Sequence, residues 1–341
     1  MTLQDDYNTI REGAAIGAIS PRALLAVAGA DRASYLQGLL TNDIQTLTPG
    51  TGCYSAWLTP QGRMLTDMHV LQSENMILLD VPADTAAATL ERLDQFLFSE
   101  DVQIESLAAI VSVWLHGPGA AAAIERVLHG VQNVAGWPAY RHARADFGGT
   151  GVSLVRIDQL GVPGYCVYVE PARERALVGA LESAGARRVG REALEAARIE
   201  AGYPVFGIDM TGETIPLEAG IEDRAISLTK GCYVGQEIII RVLHRGGGRV
   251  AKKLVALRIE DQSGAGLDGP AKAGHCAAGA KLFSDDREIG EVTSAAASPR
   301  LGIIALAYVH RDFAVPATAI QVEARGNRLP AVVTSRPIPS S

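Results

Sequence analysis

The sequence predicts an α+β protein in which two related, antiparallel α+β lobes precede a small closed β-barrel. The first observation is a strand-then-helix pattern that returns after about 90 residues, as expected for related structural units. The second is a set of tight-turn signals between strands, which indicates antiparallel pairing. The third is the loss of helical patterns after Lys253. We therefore expect both lobes within residues 1–248 and the barrel within residues 249–337.

The repeat is visible in two pairs of segments. An apolar strand leads through a glycine into a helix in both RALLAVAGADRASYLQGLL and AIVSVWLHGPGAAAAIERVL. A strand leads through a Pro-Ala step into a helix in both MILLDVPADTAAATLERLDQFL and YCVYVEPARERALVGALESAG. Two lobes of related architecture explain both pairs.

Three further patterns support the fold class. CYSAWLTPQGRMLTDMHVL reads as two strands about a Pro-Gln-Gly turn, and alternation puts Asp67 and His69 on one face of the second strand. A helix is predicted from about Arg191 to Ala201, ended by Gly202. Beyond it, KLVALRIE, AKLFSDDREIGEVTSAA, GIIALAYVH and AIQVEARGNRLPAVVTS predict strands with polar turns, which are typical of a small barrel.

Composition limits the classes of function. The 341 residues are 48% hydrophobic and 20% charged, as in a globular protein with two or three cores. A formal net charge of −7 argues against a general nucleic-acid or anionic-membrane surface. No apolar run approaches the roughly 20 residues that span a bilayer, and the N-terminus does not resemble a secretion signal. We predict a cytoplasmic protein without nucleic-acid or membrane partners.

The four cysteines argue against a zinc or disulfide framework. Cys53, Cys166, Cys232 and Cys276 are far apart and form no C-x-x-C pair. We expect four reduced thiols and no resident metal site.

The octapeptide KGCYVGQE carries the most chemistry. A neighbouring cation such as Lys230, together with backbone N–H groups, would lower the pKa of the Cys232 thiol and make it nucleophilic. Tyr233, Gln236 and Glu237 add an aromatic ring, an amide and a carboxylate. From composition alone, an ordinary tight turn with a buried, inert thiol is an equal alternative.

Three other groups are candidates. Arg241 and Arg245 lie in RVLHRGGGRVAKK, which could bind carboxylates or phosphates or could be a solvated linker. Asp67 needs a partner or a function if its face is buried, and is otherwise a solvent-facing carboxylate. Arg198, near the end of its helix, has helix stabilisation as its alternative role.

The octapeptide closely resembles the signature of the YgfZ branch of the glycine-cleavage T-protein superfamily, the folate-dependent aminomethyltransferase relatives. RALLAVAGADRASYLQGLLTNDI, LTPQGRMLTD, GVPGYCVYVEPA, RIEAGYPVFGIDM, TIPLEAGI and ALAYVHRD also look like family landmarks in the expected order. The resemblance implies a three-lobed fold in which two α+β lobes, interleaved along the chain, and a C-terminal β-barrel enclose a central tetrahydrofolate channel.

The resemblance also implies roles for individual residues. Asp67 matches the catalytic aspartate of T-proteins, and Arg198 matches an arginine at the folate site. The T-protein motif Gly-Glu-x-Gly-Tyr-Glu is GVPGYC here, so Val162 replaces a pterin-binding glutamate and weakens the classical transferase reading. T-proteins lack the cysteine at position 232, whereas the YgfZ branch acts in iron–sulfur protein maturation or repair.

Two functions follow from these implications, and a third class remains. The leading hypothesis is a tetrahydrofolate-binding accessory protein for iron–sulfur cluster assembly or repair, with Cys232 and Lys230 as the reactive pair and transient iron–sulfur client or assembly proteins as partners. Folate contacts are expected from Arg198, Tyr233, Gln236, Glu237, Arg241 and Arg245. A single thiol cannot hold a cluster alone, so any cluster contact would be shared. The alternative is a folate-dependent one-carbon transferase that uses Asp67, and a scaffold with a relic pocket is the third class.

Overall fold

The computed structural model describes residues 2–245, 249–260, 277–324 and 326–339. The helices are α1 (Leu3–Glu12), α2 (Arg32–Leu39), α3 (Ala86–Gln95), α4 (Ala120–Val127), α5 (Pro171–Ser183), α6 (Arg191–Glu200), α7 (Pro216–Ala219), α8 (Glu222–Ala225) and α9 (Gln236–Ile240). The strands are β1 (Ala15–Ile16), β2 (Arg22–Ala28), β3 (Thr51–Leu58), β4 (Met64–Gln72), β5 (Met76–Pro82), β6 (Gln103–Ser106), β7 (Val111–His116), β8 (His142–Phe147), β9 (Thr150–Arg156), β10 (Gly164–Val169), β11 (Arg187–Arg188), β12 (Lys252–Ile259), β13 (Lys281–Ser284), β14 (Arg287–Ser298), β15 (Gly302–His310), β16 (Ala319–Ala324) and β17 (Asn327–Thr334).

The first lobe is a five-stranded antiparallel sheet with the order β3-β4-β5-β2-β6. Helices α2 and α3 cover one of its faces, where Leu36 and Leu93 pack against Leu25, Met68 and Leu79 of the strands. The opposite face carries the alternate residues of the same strands, as the period of two requires.

The second lobe is a six-stranded sheet with the order β11-β1-β7-β10-β9-β8. Its pairs are antiparallel except for the short parallel pair β1–β11. Helices α4 and α5 cover its outer face. Strand β1 precedes all strands of the first sheet, so the two lobes are interleaved along the chain.

The inner faces of the two sheets pack against each other. Leu24, Leu71 and Leu78 from the first sheet meet Trp114 and Val155 from the second. The strand-then-helix units β2–α2 and β5–α3 of the first lobe have counterparts in β7–α4 and β10–α5 of the second. The repeat in the sequence therefore corresponds to two lobes related in architecture.

The third lobe is a closed barrel with the order β12-β15-β14-β13-β16-β17. Alternation explains it: Ile320, Val322 and Ala324 of β16 are buried, whereas the intervening side chains are more exposed. Helix α6 packs on the barrel through a shared apolar cluster that includes Leu194 and Ile304.

The predicted α+β fold with a C-terminal barrel is confirmed. The expected border at 248/249 falls beside residues 246–248, which lie outside the described residues, and the first barrel strand begins at Lys252. In the part of the chain that the structure describes, no helix combines the length and apolar character that a membrane crossing needs.

Candidate functional site between the two sheets

Asp67 lies on β4 in the interface between the two sheets. It pairs with Ala56 of β3, and its side chain is buried, with 3% of the residue exposed. It shares its face of the strand with His69, whose ring lies 6.4 Å from that of Trp114 in the second sheet. Alternation in the sequence thus places Asp67 and His69 on one face, as predicted. Asp67 contacts Tyr54 and Arg22 of its own sheet, and His69 lies against Trp114 of the second sheet.

Both carboxylate oxygens of Asp67 have a fixed donor. The Tyr54 hydroxyl donates to Oδ2 at 2.7 Å, and Arg22 Nη1 donates to Oδ1 at 3.1 Å. Tyr54 comes from the neighbouring strand β3 and Arg22 from the start of β2. A buried carboxylate held by two donors is an oriented group, because neither oxygen can turn without losing a hydrogen bond.

Arg22 connects Asp67 to a second buried carboxylate, Asp80. Arg22 Nε donates to Asp80 Oδ1 at 2.7 Å. The Tyr168 hydroxyl, from β10 of the second sheet, donates to Asp80 Oδ2 at 2.6 Å, and His69 Nδ1 lies 3.2 Å from the same oxygen. We call these side chains the inter-sheet cluster: Arg22, Tyr54, Asp67, His69, Asp80 and Tyr168.

Burial and mutual charge set the ionisation of this cluster. Burial acts to raise the pKa of Asp80, but Arg22, His69 and Tyr168 together hold it well below its usual value. Burial lowers the pKa of His69, and the positive charge of Arg22 acts in the same direction. Burial raises the pKa values of Tyr54 and Tyr168. At neutral pH the cluster therefore holds a charged Asp80–Arg22 pair, a neutral imidazole and two protonated phenols.

A further arginine lies beside the cluster. The Arg224 guanidinium lies over two tyrosine rings, with its central carbon 4.6 Å from the Tyr54 centroid and 4.1 Å from the Tyr203 centroid. Tyr54 thus contacts Asp67 through its hydroxyl and Arg224 through its ring. This arrangement places the permanent positive charge of Arg224 next to the oriented Asp67 carboxylate.

Arg198 is held by protein groups on several sides. Its side chain has 0% exposure. Nε donates to Glu195 at 2.9 Å, and Nη1 donates to both Asp209 and the Tyr203 carbonyl at 2.7 Å. Asp209 in turn accepts hydrogen bonds from Thr293 and Ser294 of the barrel at 2.6 Å. Arg198 therefore ties α6 to the barrel and fixes the backbone of Tyr203.

Lys230 is bound to the backbone near the end of α2. Its ammonium donates to the carbonyls of Gln37, Leu40 and Asn42 at 2.7, 2.6 and 2.7 Å. Burial lowers its pKa to about 8. The three carbonyls engage all three N–H donors of the ammonium, so Lys230 fastens the octapeptide to the first lobe.

These contacts predict the effect of Lys230→Met. We expect the free energy of unfolding to fall by about 1–3 kcal/mol, because one buried and two part-buried carbonyls lose a charged donor. We expect the alkylation rate of Cys232, followed against pH by mass spectrometry, to change less than twofold. A large fall in that rate in a folded variant would instead support the activation of Cys232 by Lys230. Lys230→Arg, which keeps the charge, is the control.

Cys232 is exposed, whereas Cys53 is half-buried and Cys166 is buried. Cys276 lies outside the described residues. Burial raises the pKa of Cys53 to about 12 and that of Cys166 well above its usual range. Among the described cysteines, Cys232 is therefore the thiol that a solvent-borne partner can reach.

The octapeptide packs against the hairpin that leads to Asp67. Gly235 has φ +84°, and a Cβ there would lie 2.6 Å from the Thr59 carbonyl, so only glycine fits this approach. Tyr233 is buried, and its N–H donates to Gln236 Oε1 at 3.3 Å. The structure thus brings the Cys232 turn to the β3–β4 hairpin, while the thiol itself stays on the surface and Asp67 stays inside.

The remaining predicted residues lie after the turn. Glu237 is exposed in the first turn of α9, and Arg241 is exposed where a π-helical turn, Arg241–Arg245, follows α9. The side chain of Arg245 lies outside the described residues. Their expected folate contacts stay a prediction.

Sequence reasoning missed most of the inter-sheet cluster. Arg22, Tyr54, Asp80 and Tyr168 were not singled out, and neither was Arg224 beside them. A charged residue inside an otherwise apolar strand, such as Asp80 in MILLDVP, is the local signal that could have been followed. Its partners could not be found in this way, since Tyr168 lies 88 positions away.

Family models match both parts of the chain. The GCVT N-terminal domain matches residues 1–230, and the glycine cleavage T-protein C-terminal barrel domain matches residues 252–338. The chain belongs to the glycine cleavage T-protein family. This agrees with the superfamily that the sequence motifs indicate.

Two relatives of this T-protein family member are both named aminomethyltransferase. The aminomethyltransferase of Nostoc sp. is 29% identical over 340 residues, covering 97% of this chain and 86% of the relative. The aminomethyltransferase of Bacillus pumilus is 27% identical, with 98% and 90% coverage. The crystal structure of glycine cleavage system aminomethyltransferase T from Bartonella henselae superposes with a TM-score of 0.85 at 24% identity, covering 99% of this chain and 90% of that chain. That likeness shows the same fold.

Proposed function

We propose that this T-protein family member binds tetrahydrofolate and transfers a one-carbon unit, with Asp67 as the acid–base group. The observation that carries the proposal is the buried Asp67 carboxylate, oriented by Tyr54 and Arg22 between the two sheets. The aminomethyltransferase names of the relatives support it.

The residues around Asp67 fit a planar heteroaromatic ligand. The rings of Tyr54 and Tyr140 lie 5.8 and 5.9 Å from that of His69, and His69 Nε2 is buried without a hydrogen-bond partner among the described residues. Aromatic faces with an unpaired buried polar atom suit a ring that offers both a π surface and an N–H donor. The pterin ring of tetrahydrofolate has both features.

Tetrahydrofolate would supply the amine nitrogens that accept a one-carbon unit. Asp67 would hold the amine by accepting its N–H hydrogen bond and would take that proton as the nitrogen lone pair forms the new N–C bond. The bond between the one-carbon unit and its donor atom would break in the same transfer, and the donor atom would keep the electron pair and be protonated. Arg22 and Tyr54 would keep the carboxylate in place during this transfer, since each already occupies one of its oxygens. Arg198 would act through Tyr203, whose carbonyl it binds.

Val162 is the main departure from the transferase pattern. The resemblance places a pterin-binding glutamate there, whereas this side chain is apolar and packs against the cluster of α1, α6 and the barrel. We therefore propose that pterin recognition relies on the His69 side of the inter-sheet cluster.

The YgfZ-type role in iron–sulfur maturation is the second candidate. The exposure of Cys232 within KGCYVGQE supports it, because a transient cluster or thiol partner needs an accessible thiolate. The names of the relatives favour the transferase proposal over this one. Either role would suit a cytoplasmic protein with reduced thiols.

Calorimetric titration of the full-length chain with tetrahydrofolate tests the ligand. We expect one binding site per chain, and we expect formation of the one-carbon tetrahydrofolate product when an aminomethyl-bearing carrier protein is added. Absence of binding would reject both folate-dependent candidates and favour the scaffold. Binding without product, together with impaired maturation of iron–sulfur enzymes in cells that carry Cys232→Ala, would reject the transferase and favour the second candidate.

A further inference from the structure

A second polar cluster lies where the α7–α8 segment meets the C-terminal segment that follows the barrel. Arg224 on α8 and Arg336 after β17 each bury one guanidinium nitrogen, Nη2 and Nη1 respectively, without a hydrogen-bond partner among the described residues. We call these two side chains the two-arginine seam.

The backbone is shaped to hold Arg336 in this position. Arg336 Nη2 donates to the carbonyls of Ala219 and Gly220 at 2.7 and 3.3 Å. Gly220 has φ +61°, and a Cβ at this position would lie 2.2 Å from the same nitrogen. The carbonyls at the C-terminus of α7 therefore bind Nη2 of the guanidinium, and Nη1 remains for another acceptor.

The aromatic contacts of Arg224 leave its Nη2 without a hydrogen-bond partner among the described residues. The guanidinium lies over the rings of Tyr54 and Tyr203, and these aromatic contacts are not hydrogen bonds. The N–H donors point along the plane of the group and not at the rings. A buried cationic donor without an acceptor costs more than a neutral one, so the pair of such nitrogens indicates a missing acceptor.

The two guanidinium groups also influence each other. Burial lowers the pKa of Arg336, and the positive charge of Arg224 is the next cause. Glu222 is an acidic residue on the same segment; its Oε2 is buried without a hydrogen-bond partner among the described residues, and burial raises its pKa. Asp67 acts electrostatically on Arg224, and Glu222 and Asp209 act on Arg336, yet among the described residues none of these carboxylates hydrogen-bonds to either guanidinium. An anion at the two unpaired nitrogens would supply the acceptor that they lack.

We propose that Arg224 and Arg336 form a binding site for a carboxylate group of the ligand. A carboxylate presents two oxygens to the planar fork of a guanidinium, and two arginines can share it. Tyr54 links this site to the reacting centre, because its ring contacts Arg224 and its hydroxyl contacts Asp67. The carboxylate could belong to the glutamate tail of tetrahydrofolate or to a small carboxylate that donates the one-carbon unit. The inference rests on the proposed function only for this choice of ligand.

Binding measurements on the full chain test the seam and separate the two sources. The probes are tetrahydrofolate, 6-methyltetrahydropterin (which has no carboxylate), p-aminobenzoylglutamate, and N-methylglycine added to the tetrahydrofolate-saturated protein. The variants are Arg224→Met and Arg336→Met, with Arg224→Lys as the form that keeps the charge and loses the fork. Arg188→Met is the matched control, because Arg188 is an exposed arginine paired with Glu182.

If the folate tail is the ligand, both methionine variants should lower the affinity for tetrahydrofolate and for p-aminobenzoylglutamate at least tenfold. The affinity for 6-methyltetrahydropterin should stay within twofold of the wild-type value. If a small carboxylate is the ligand, only the affinity for N-methylglycine should fall. Either result supports the seam, provided that Arg188→Met changes nothing. Unchanged affinity for every carboxylate probe in folded variants would overturn it, and if Arg224→Met does not fold, Arg224→Lys and Arg336→Met decide. A wild-type chain that does not bind 6-methyltetrahydropterin or tetrahydrofolate would count against the proposed function, whereas p-aminobenzoylglutamate binding would still report on the seam.

Discussion

Asp67→Asn is expected to lower the rate of one-carbon transfer by about 100-fold or more, since a positioned acid–base group contributes about 10²–10⁴ to a rate. The amide has the shape of the carboxylate but cannot take up the proton. Tetrahydrofolate affinity should change less than about tenfold, because the aromatic rings and His69 remain. The measurement is product formation under saturating tetrahydrofolate, with affinity from calorimetry.

Two further variants make this result specific. Tyr54→Phe removes the donor to Asp67 Oδ2 and should reduce turnover by a smaller factor, because Arg22 still holds the other oxygen. Cys232→Ala should leave turnover unchanged, since the thiol is exposed on the octapeptide turn and Asp67 is buried. If Cys232→Ala abolishes transfer and Asp67→Asn does not, the assignment of Asp67 is wrong.

Asp80→Asn should have the largest effect on stability. Asp80 has 0% exposure and joins Arg22, His69 and Tyr168 across the interface between the sheets. Removing one partner of a buried ion pair costs about 3–5 kcal/mol, because the other charge is left without compensation. Urea denaturation at neutral pH measures the change in the free energy of unfolding. Asp84→Asn, which removes an exposed carboxylate just beyond the same strand, is the control and should change little.

The pH dependence gives an independent check on Asp80. Its pKa is lower in the folded protein than the value of about 4 in an unfolded chain. The unfolded state therefore binds the proton more readily, so this contribution is complete above about pH 4 and is lost as the pH falls towards the folded value. Asp80→Asn should flatten the fall of stability in this acid range. Equal acid sensitivity of Asp80→Asn and wild type would show that Asp80 is not the group responsible.

The local patterns of the sequence predict the lobes and the barrel well. The strands of the barrel alternate in burial, and the strand-then-helix repeat appears as equivalent units in the two sheets. Such patterns are readable because the period of a strand or helix depends on neighbouring residues. The short parallel pairing of β1 with β11 cannot be predicted from local periodicity, since the two strands are far apart in the sequence.

The chemistry of the site depends on contacts that local patterns do not carry. Arg22 and Asp67, which are hydrogen-bonded, are 45 positions apart in the sequence. Tyr168 and Asp80, which are also hydrogen-bonded, are 88 positions apart. Lys230 illustrates the same limit. It is two residues from Cys232 in the sequence, yet its ammonium binds the carbonyls at the end of α2.

Local patterns and motifs are sufficient to predict the α+β class, the barrel and the T-protein superfamily, and they indicate Asp67 and Cys232 as residues to test. The burial of Asp67 and its two hydrogen bonds, the exposure of Cys232, and the nitrogens of Arg224 and Arg336 that have no partner among the described residues are visible only in the folded chain. The physical reason is that alternation and motif spacing are local, whereas the ionisation and reactivity of a side chain depend on desolvation and on charges brought together by folding.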